Sequence, residues 1–214
     1  MKKILLISLF LCFCLVGCAN NQETNNENYN ASRTAVNFTS ENSNSSQDTN
    51  QVEIEKPKEQ PKIEEDLSSF STKIYTPNDT ARQNNITITC SKLNGKVINP
   101  GETFSFCNTV GKATPEGGYQ KADVFDKDGN TIKAYGGGNC QISSTLYNAV
   151  LALPSLTVIE RHQHSKEVYY VPLGKDAAVA YGSVDFQFRN DYEYPIKIYC
   201  SNSQDTIDVR IVKL

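Results

Sequence analysis

Hydrophobic and polar positions divide the chain into three parts. Residues 1–17 join two lysines to the apolar run ILLISLFLCFCLVG, which is too short to span a bilayer and is typical of an export signal. Residues 18–67 are rich in Asn, Gln, Ser, Thr and Glu without sustained periodicity, a composition that predicts a disordered tether. Residues 68–214 carry the periodic patterns of one folded domain.

Two segments of this domain have the signals of helices. The first follows a capping residue at Asn78 or Asp79 and ends at Asn94, so a helix is the predicted first element of the domain. The second begins at Gln141 and ends at Pro154, with an apolar stripe at helical spacing.

The remaining runs predict strands. A turn at residues 99–101 interrupts VINPGETFSF, and ADVFDKDGNTIKAYG has the pattern of a hairpin about Asp128 and Gly129. LTVIERH, EVYYVPL, AVAYGSVDFQFRN and a final hairpin of PIKIYC with TIDVRIVKL follow. The sequence therefore predicts an α+β fold, with a mainly antiparallel sheet and two or so helices, one starting after a Gly-rich turn that bears Cys140.

Net charge and the export signal indicate the partners and location of the mature protein. The formal net charge is −3, and it becomes −5 when the signal leaves with Lys2 and Lys3, which argues against a nucleic-acid partner. Residues 15–18, LVGC, resemble the lipobox of bacterial lipoproteins, so cleavage before Cys18 and lipidation of Cys18 are expected. The mature protein is then extracytoplasmic and anchored to the membrane, and its tether spans roughly 35–40 Å toward the cell wall.

The seven cysteines fall into separate groups. Two leave with the signal and Cys18 carries lipid, so four remain in the domain: Cys90, Cys107, Cys140 and Cys200. An even number in an exported chain permits two disulfides, one or none. A Cys90–Cys107 or a Cys107–Cys200 bridge is compatible with the sequence, which selects neither.

Cys140 stands where a Gly-rich turn meets a helix N-terminus, in YGGGNCQISS. Unpaired amides and the helix dipole there favour a thiolate or a developing oxyanion, and glycine lets a substrate approach closely. Gly137, Gly138, Gln141 and Ser143 are therefore candidates for oxyanion or substrate binding. In the alternative interpretation the glycines form a tight turn and Cys140 packs or pairs, and local features leave both open.

Both histidines of the chain lie in ERHQHS, at His162 and His164. A thiol nucleophile needs an imidazole that takes and returns protons, held by a third group. Two exposed loop histidines, or a metal site completed by Cys140 and Asp176, are the alternatives. Because the acidic residues lack recognisable ligand spacing, no metal or other cofactor is predicted.

Five blocks of the domain share their order and spacing with a known family. They are NGKVINPGETFSFCNTVG, GGYQKADVF, GGGNCQISSTLYNAVL, ERHQHS and VPLGKDAAVAYGSVDFQFRN. The chain thus resembles the VanW-like domain, named from vancomycin-resistance gene clusters and found in many exported Gram-positive proteins, over about residues 70–214. One departure is Cys107, which stands where the family pattern FSFN has Asn, and this argues against a family-wide disulfide at that position.

The resemblance implies a chemistry, because some clostridial members are understood to be L,D-transpeptidases that act through a VanW-domain cysteine. By that resemblance Cys140 is the nucleophile and His164 its partner, while His162 lies outside the motif and ranks second. Cys140 attacks the carbonyl of the L-centre residue of a stem tetrapeptide and releases D-Ala. A side-chain amine of a neighbouring stem then resolves the thioester into a 3→3 cross-link.

Two further residues are candidates for supporting roles in this chemistry. Arg161 is a candidate for the stem-peptide carboxylate and Asp176 for orienting a partner, and ordinary ion pairs are the alternative for both. The function hypotheses are an L,D-transpeptidase or L,D-carboxypeptidase, a non-catalytic wall-binding or accessory protein, and a metal-dependent wall hydrolase.

Overall fold

The computed structural model describes residues 64–214. The signal segment 1–17, the lipidation site Cys18 and the tether up to residue 63 lie outside these residues. No helix within residues 64–214 is long and apolar enough to cross a membrane.

Nine strands and three helices follow one another along the described part of the chain. In order they are β1 (Glu65–Lys73), α1 (Thr80–Leu93), β2 (Lys96–Ile98), β3 (Thr103–Ser105), α2 (Phe106–Val110), β4 (Lys121–Phe125), β5 (Thr131–Tyr135), α3 (Asn139–Leu151), β6 (Leu156–Glu160), β7 (Gln187–Asn190), β8 (Ile196–Asn202) and β9 (Thr206–Lys213). This confirms the α+β class.

The strands form two larger sheets and a hairpin, and every pairing is antiparallel. The order is β1-β9-β8-β2 in the four-stranded sheet and β3-β7-β6 in the three-stranded sheet, while β4 pairs with β5. The β4–β5 and β8–β9 hairpins match the turn and alternation signals of the sequence. Helix α1 also agrees with the sequence, since it begins after the predicted cap Asp79. The Oδ1 of Asp79 accepts a hydrogen bond from the amide of Arg82 at 2.9 Å.

The prediction that the domain begins with a helix is wrong. Strand β1 comes first, and it begins at Glu65, ahead of the expected boundary at residue 68. Its sequence EDLSSFSTK is mostly small and polar, so it lacks the apolar alternation of a strand. It is stabilised by its ladder with β9 and by contacts to α3, where Ser68 Oγ donates to the carbonyl of Ala149 at 2.9 Å.

Two predicted strands are also wrong or shortened. Residues 167–173 form no strand, and of residues 178–190 only β7 joins a sheet ladder, the rest contributing isolated bridges. Residues 167–173 bury apolar side chains without joining a sheet, since Val168 and Val171 are both buried. Helix α2, which is only five residues long, was not predicted.

The core packs α1 and α3 against the two larger sheets. Its fully buried large side chains include Ile86, Leu93, Phe104, Phe106, Ile142, Leu146, Phe186, Phe188, Ile196 and Ile198. Cys90 of α1 and Cys200 of β8 are buried in the same core, and hydrogen bonding to Cys90 together with burial raises the pKa of Cys200. All four cysteines of the described residues are free thiols.

Asn190 joins the two larger sheets through its buried side chain. Its Nδ2 donates to the carbonyls of Ile98 in β2 and Tyr194, both at 3.0 Å, and its Oδ1 accepts the amide of Tyr192 at 3.0 Å. Three backbone groups therefore depend on one amide side chain that water does not reach.

We expect Asn190→Leu to lower the free energy of unfolding by about 2–4 kcal/mol, because a side chain of similar size leaves buried backbone groups without partners. Chemical denaturation followed by circular dichroism measures the change. Asn202→Leu, at a partly exposed amide, is the control and should stay within about 0.5 kcal/mol of wild type. Equal losses in both variants would contradict a joining role.

Candidate active site

A cavity of about 650 Å³ brings together residues from α1, the Gly-rich turn, α3 and the segment after β6. Its lining includes Arg82, Cys107, Cys140, Gln141, His164 and Tyr170. The volume lies in the range of small-molecule and peptide sites, and the lining combines a thiol, an imidazole, a phenol and a guanidinium. Chemistry-bearing groups that are distant in sequence therefore share one concave surface.

Cys140 is the second residue of α3, which begins at Asn139 after the N-cap Gly138. Its sulfur lies 3.5 Å from the amide nitrogen of Val179 and 3.4 Å from the carbonyl oxygen of the same residue. The amides of Gln141 and Ile142 donate to Gly138 O at 3.0 and 3.2 Å, whereas that of Cys140 has no acceptor within residues 64–214. A free N–H beside a nucleophile is what an oxyanion hole requires.

The strap, residues 176–179, holds the sulfur in place. Ser144 Oγ accepts the amide of Ala177 at 2.9 Å, and Ser143 Oγ donates to the carbonyl of Ala177 at 2.5 Å. The strap also bonds to the segment of the histidines, since the amide of Ala178 donates to the carbonyl of His162 at 2.8 Å. Ser143, a predicted substrate-binding residue, therefore fixes the strap and does not line the cavity.

His164 and Asp176 form a buried pair next to Cys140. The ring Nδ1 of His164 lies 2.6 Å from Asp176 Oδ2, which also accepts the backbone amide of His164 at 2.7 Å. The two side chains are only 7% and 5% exposed. With Nδ1 engaged by a carboxylate, Nε2 is the ring nitrogen available to the cavity.

The pKa values of this pair shift in opposite directions. Burial of the His164 ring opposes protonation, but the adjacent Cys140 and Asp176 outweigh it and raise the pKa of His164. Burial likewise opposes ionisation of Asp176, but hydrogen bonds from the amide and ring of His164 lower the pKa of Asp176. The carboxylate is thus an acceptor, and Nδ1 of His164 donates to it.

Arg161 supports Asp176 from the side away from the ring. Its Nη2 donates to Asp176 Oδ1 at 2.7 Å and to the carbonyl of Gly174 at 3.1 Å, and its Nε donates to the carbonyl of Asp176 at 2.5 Å. The guanidinium lies over the ring of Tyr147 and does not line the cavity. The sequence suggests Arg161 for a substrate carboxylate; the structure uses its donors within the protein.

His162 lies outside the cavity. Its Nε2 is 2.9 Å from Glu160 Oε1, and its side chain is 45% exposed. Because its ring and that of His164 contact different carboxylates, they do not converge on one point. No group of three or more His, Cys, Asp or Glu side chains in residues 64–214 is arranged to hold a metal ion.

The glycines before Cys140 are required by packing. A Cβ on Gly137 would lie 2.8 Å from Ala122 Cβ and 2.9 Å from the carbonyl oxygen of Asp123, and one on Gly138 would lie 2.6 Å from Ile86 Cγ1. Gly138 also has a φ of 113°. Gly137 and Gly138 are both buried where the turn packs against α1 and β4, and of these two candidates for oxyanion or substrate binding only Gly138 lines the cavity.

Gln141 and Arg82 form a second pair beside Cys140. The Nε2 of Gln141 donates to the carbonyl of Lys73 at 2.9 Å, and its Oε1 accepts Nη2 of Arg82 at 2.8 Å. The sequence indicates Gln141 as a site residue but does not indicate Arg82. The position of Arg82 in the first turn of α1 carries no signal of a site, because an arginine there also suits a solvated helix face.

Tyr170 is another cavity residue that sequence reasoning missed, because its segment was predicted to be a strand. Its ring centroid lies 6.5 Å from that of His164, with the rings nearly perpendicular. Burial, reinforced by the nearby charge of Cys140, raises the pKa of Tyr170, so the phenol stays neutral. It is a hydroxyl donor that faces the same space as the thiol and the imidazole.

Cys107 shares the cavity with Cys140 but has a different environment. Its amide donates to Asp185 Oδ1 at 2.8 Å, and its sulfur lies 3.5 Å from the carbonyl of Val184. Burial and the adjacent Asp185 raise the pKa of Cys107 to about 12. This thiol therefore stays protonated at neutral pH and is a poor nucleophile.

Comparison with known proteins gives a consistent result. A family model described as VanW like protein matches residues 81–212. Uncharacterized protein YoaR of Bacillus subtilis (strain 168) is 33% identical over 78% of this chain and 61% of its own length. Vancomycin B-type resistance protein VanW of Enterococcus faecalis (strain ATCC 700802 / V583) is 33% identical over 58% of this chain and 46% of its own length. The chain thus spans less than two thirds of either relative, and no solved structure gives a significant match.

The packing of the turn predicts the effect of a methyl group. Gly138→Ala should lower the free energy of unfolding by about 2–5 kcal/mol, because the positive φ and the contact with Ile86 both oppose a side chain. Gly101→Ala is the matched control: its φ is 75° but its Cβ meets nothing within 4 Å, so about 1–2 kcal/mol is expected. Thermal unfolding compares the two, and similar losses would contradict the packing argument.

The two cavity thiols should differ in alkylation. At pH 8 a thiol with a pKa of about 12 is ionised in about one molecule in ten thousand, so iodoacetamide should spare Cys107 and modify Cys140. Peptide mass spectrometry of the native protein locates the adduct. Cys107 should react once denaturant unfolds the chain, and rapid labelling of native Cys107 would contradict the raised pKa.

Proposed function

Because the chain belongs to the VanW-like family, we propose that it is a peptidoglycan-modifying cysteine acyltransferase, and specifically an L,D-transpeptidase that forms 3→3 cross-links. One observation carries the proposal. Cys140, at the start of α3, shares a cavity with His164, whose ring is held by the buried carboxylate of Asp176. This is the arrangement of nucleophile, base and orienting acid that acyl transfer needs.

The first half-reaction uses these residues in sequence. His164 Nε2 takes the proton of Cys140, and the sulfur attacks the carbonyl carbon of the L-centre residue in a stem tetrapeptide. The oxyanion that forms accepts a hydrogen bond from the free backbone N–H of Cys140. When the C–N bond breaks, the leaving amine of D-Ala takes the proton from His164, and the acyl group remains on sulfur as a thioester.

The second half-reaction restores the thiol. A side-chain amine of a neighbouring stem attacks the thioester and its proton passes to His164; the new amide bond displaces Cys140 as thiolate, which takes that proton from His164 and becomes the thiol again. Water in place of the amine gives an L,D-carboxypeptidase. Asp176 stabilises the imidazolium in both halves, and Arg161 stabilises Asp176, so charge develops on the ring without reorganisation of its neighbours.

The expected location is consistent with this substrate. Lipidation at Cys18 and the tether up to residue 63, both outside the described residues, would hold the domain above the membrane and within reach of the wall. Stem peptides are thus the proposed partner in the wall, and the membrane is bound through lipid.

A wall-binding module that uses the same cavity is the second candidate. Three tyrosines of the cavity lining are well exposed, Tyr135 at 39%, Tyr169 at 65% and Tyr181 at 57%. Exposed aromatic rings around a groove suit contact with the apolar faces of sugars. Under this alternative Cys140→Ala keeps both muropeptide binding and any effect on the cell envelope.

The decisive experiment compares matched pairs of variants. Full-length protein in detergent is incubated with disaccharide-tetrapeptide, and dimers, D-Ala and enzyme adducts are measured by mass spectrometry. Cys140→Ala should abolish turnover, and His164→Ala should reduce it by about 10²–10⁴-fold. Cys107→Ala and His162→Ala should retain turnover of the wild-type order.

Each outcome separates the candidates. Dimer formation that depends on Cys140 and His164 supports the transpeptidase, and D-Ala release without dimers supports the carboxypeptidase. Folded wild-type protein that binds the muropeptide without turnover or an acyl adduct on Cys140 would refute the proposed chemistry and favour the binding module.

A further inference from the structure

Arg82 is a cation held inside the cavity. It lies in the first turn of α1, where its amide completes the cap on Asp79, and its half-buried side chain lines the same cavity as Cys140. Its Nη2 donates to Oε1 of Gln141, the residue that follows the nucleophile. The contact fixes the guanidinium in the cavity that also holds the thiol of Cys140.

The anchor that holds Arg82 is itself rigid. The side chain of Gln141 is buried, and its Nε2 donates to Lys73 O at 2.9 Å and Thr72 Oγ1 at 3.2 Å. A fully engaged amide cannot turn away from the guanidinium without losing hydrogen bonds. Arg82 is thus positioned in advance of any ligand, and its remaining donors are available.

Arg82 differs from the other described arginines in its charge balance. Each of the others pairs with an aspartate: Arg161 with Asp176, Arg189 with Asp191 and Arg210 with Asp66. No carboxylate of residues 64–214 lies within 4 Å of the guanidinium of Arg82. A half-buried cation bonded only to a neutral amide retains the capacity to bind an anion.

The acidic groups of the cavity have other partners. Asp79 accepts the amide of Arg82 as the N-cap of α1, and Asp123 pairs with Lys133 at 2.9 Å. The basic residues Lys112 and Lys166 also line the cavity, and Lys166 lies over the ring of Phe125. Arg82 is distinguished from these lysines by its forked donors and by its anchor on Gln141.

We propose that Arg82 binds the free carboxylate of the substrate residue that leaves when Cys140 is acylated. A guanidinium fork binds a carboxylate through two parallel hydrogen bonds, which orient the ligand as well as attract it. The inference rests on the proposed function, because a tetrapeptide cut before its last residue has its C-terminal carboxylate one residue from the scissile carbonyl. Arg82 then selects tetrapeptides with a free C-terminus and aligns the carbonyl with the sulfur.

The test varies the carboxylate and the arginine together. Full-length wild-type protein and Arg82→Gln are assayed with a disaccharide-tetrapeptide that has lysine at its third position, as the free acid and as the C-terminal amide. The wild type should prefer the acid by roughly 10- to 100-fold in kcat/KM, as expected for a lost charge-assisted pair. Arg82→Gln should lose this preference, because its loss lowers kcat/KM for the acid much more than for the amide.

Two further variants make the result specific. Arg82→Lys keeps the charge without the fork, so an intermediate preference is expected. Arg189→Gln is the matched control, since Arg189 pairs with Asp191 outside the cavity, and its preference should equal that of wild type. If Arg82→Gln slows acid and amide substrates equally, the residue acts only through Gln141 and the proposal is overturned.

A substrate with meso-diaminopimelate at the third position identifies the source of the carboxylate. If Arg82 instead binds the side-chain carboxylate of diaminopimelate, Arg82→Gln will lower kcat/KM for this substrate and not for the lysine substrate. That result overturns the assignment to the C-terminus. Amidation of the C-terminus of either substrate should remove the effect of Arg82→Gln if the assignment is correct.

Binding to Cys140→Ala separates this inference from the proposed function. Calorimetry with the acid and amide peptides reports carboxylate recognition without chemistry, and the Arg82→Gln change in that background should remove any preference for the acid. Acid preference without wild-type turnover leaves the Arg82 assignment standing and removes the transpeptidase. Turnover by the wild type together with equal binding of the acid and amide peptides supports the transpeptidase and overturns the Arg82 assignment.

Discussion

The buried carboxylate of Asp176 is the interaction on which the site depends. One oxygen accepts a hydrogen bond from Arg161, and the other accepts hydrogen bonds from both the backbone amide and the ring of His164. Removing water from a carboxylate is costly unless donors replace it, and here three do so. Because Asp176 also begins the strap that contacts the sulfur of Cys140, one charged group sets the position of the His164 ring and, through its neighbours, that of the Cys140 sulfur.

Much of the fold was predictable wherever local signals agreed with tertiary packing. The cap at Asp79, the β4–β5 hairpin and the β8–β9 hairpin each combine a turn or cap residue with an apolar pattern of the right period. Strand β1 was missed because its stability comes from pairing with β9, a partner far along the chain. Residues 167–173 were assigned wrongly because apolar alternation cannot distinguish a sheet ladder from a coil that packs around a cavity.

The same limit applies to the site. Cys140 and His164 stood out because a thiol at a helix start and a pair of histidines are rare patterns, and the structure brings both to one cavity. Arg161 was a reasonable choice for a carboxylate from residue type alone, but residue type does not report which arginine is already neutralised by a neighbour. Arg82 and Tyr170 become recognisable only when long-range contacts show what surrounds them.

The edge position of β1 has a mechanical consequence. Any segment that precedes Glu65 enters the domain through this strand, and β1 is bonded to α3 as well as to β9, through Thr72 to Thr145 and through Lys73 to the side chain of Gln141. Tension on the preceding chain is therefore carried first by the β1–β9 ladder and shared by the helix that bears Cys140. Force applied at this end therefore reaches the helix of Cys140 through two hydrogen-bonded residues of β1, Thr72 and Lys73.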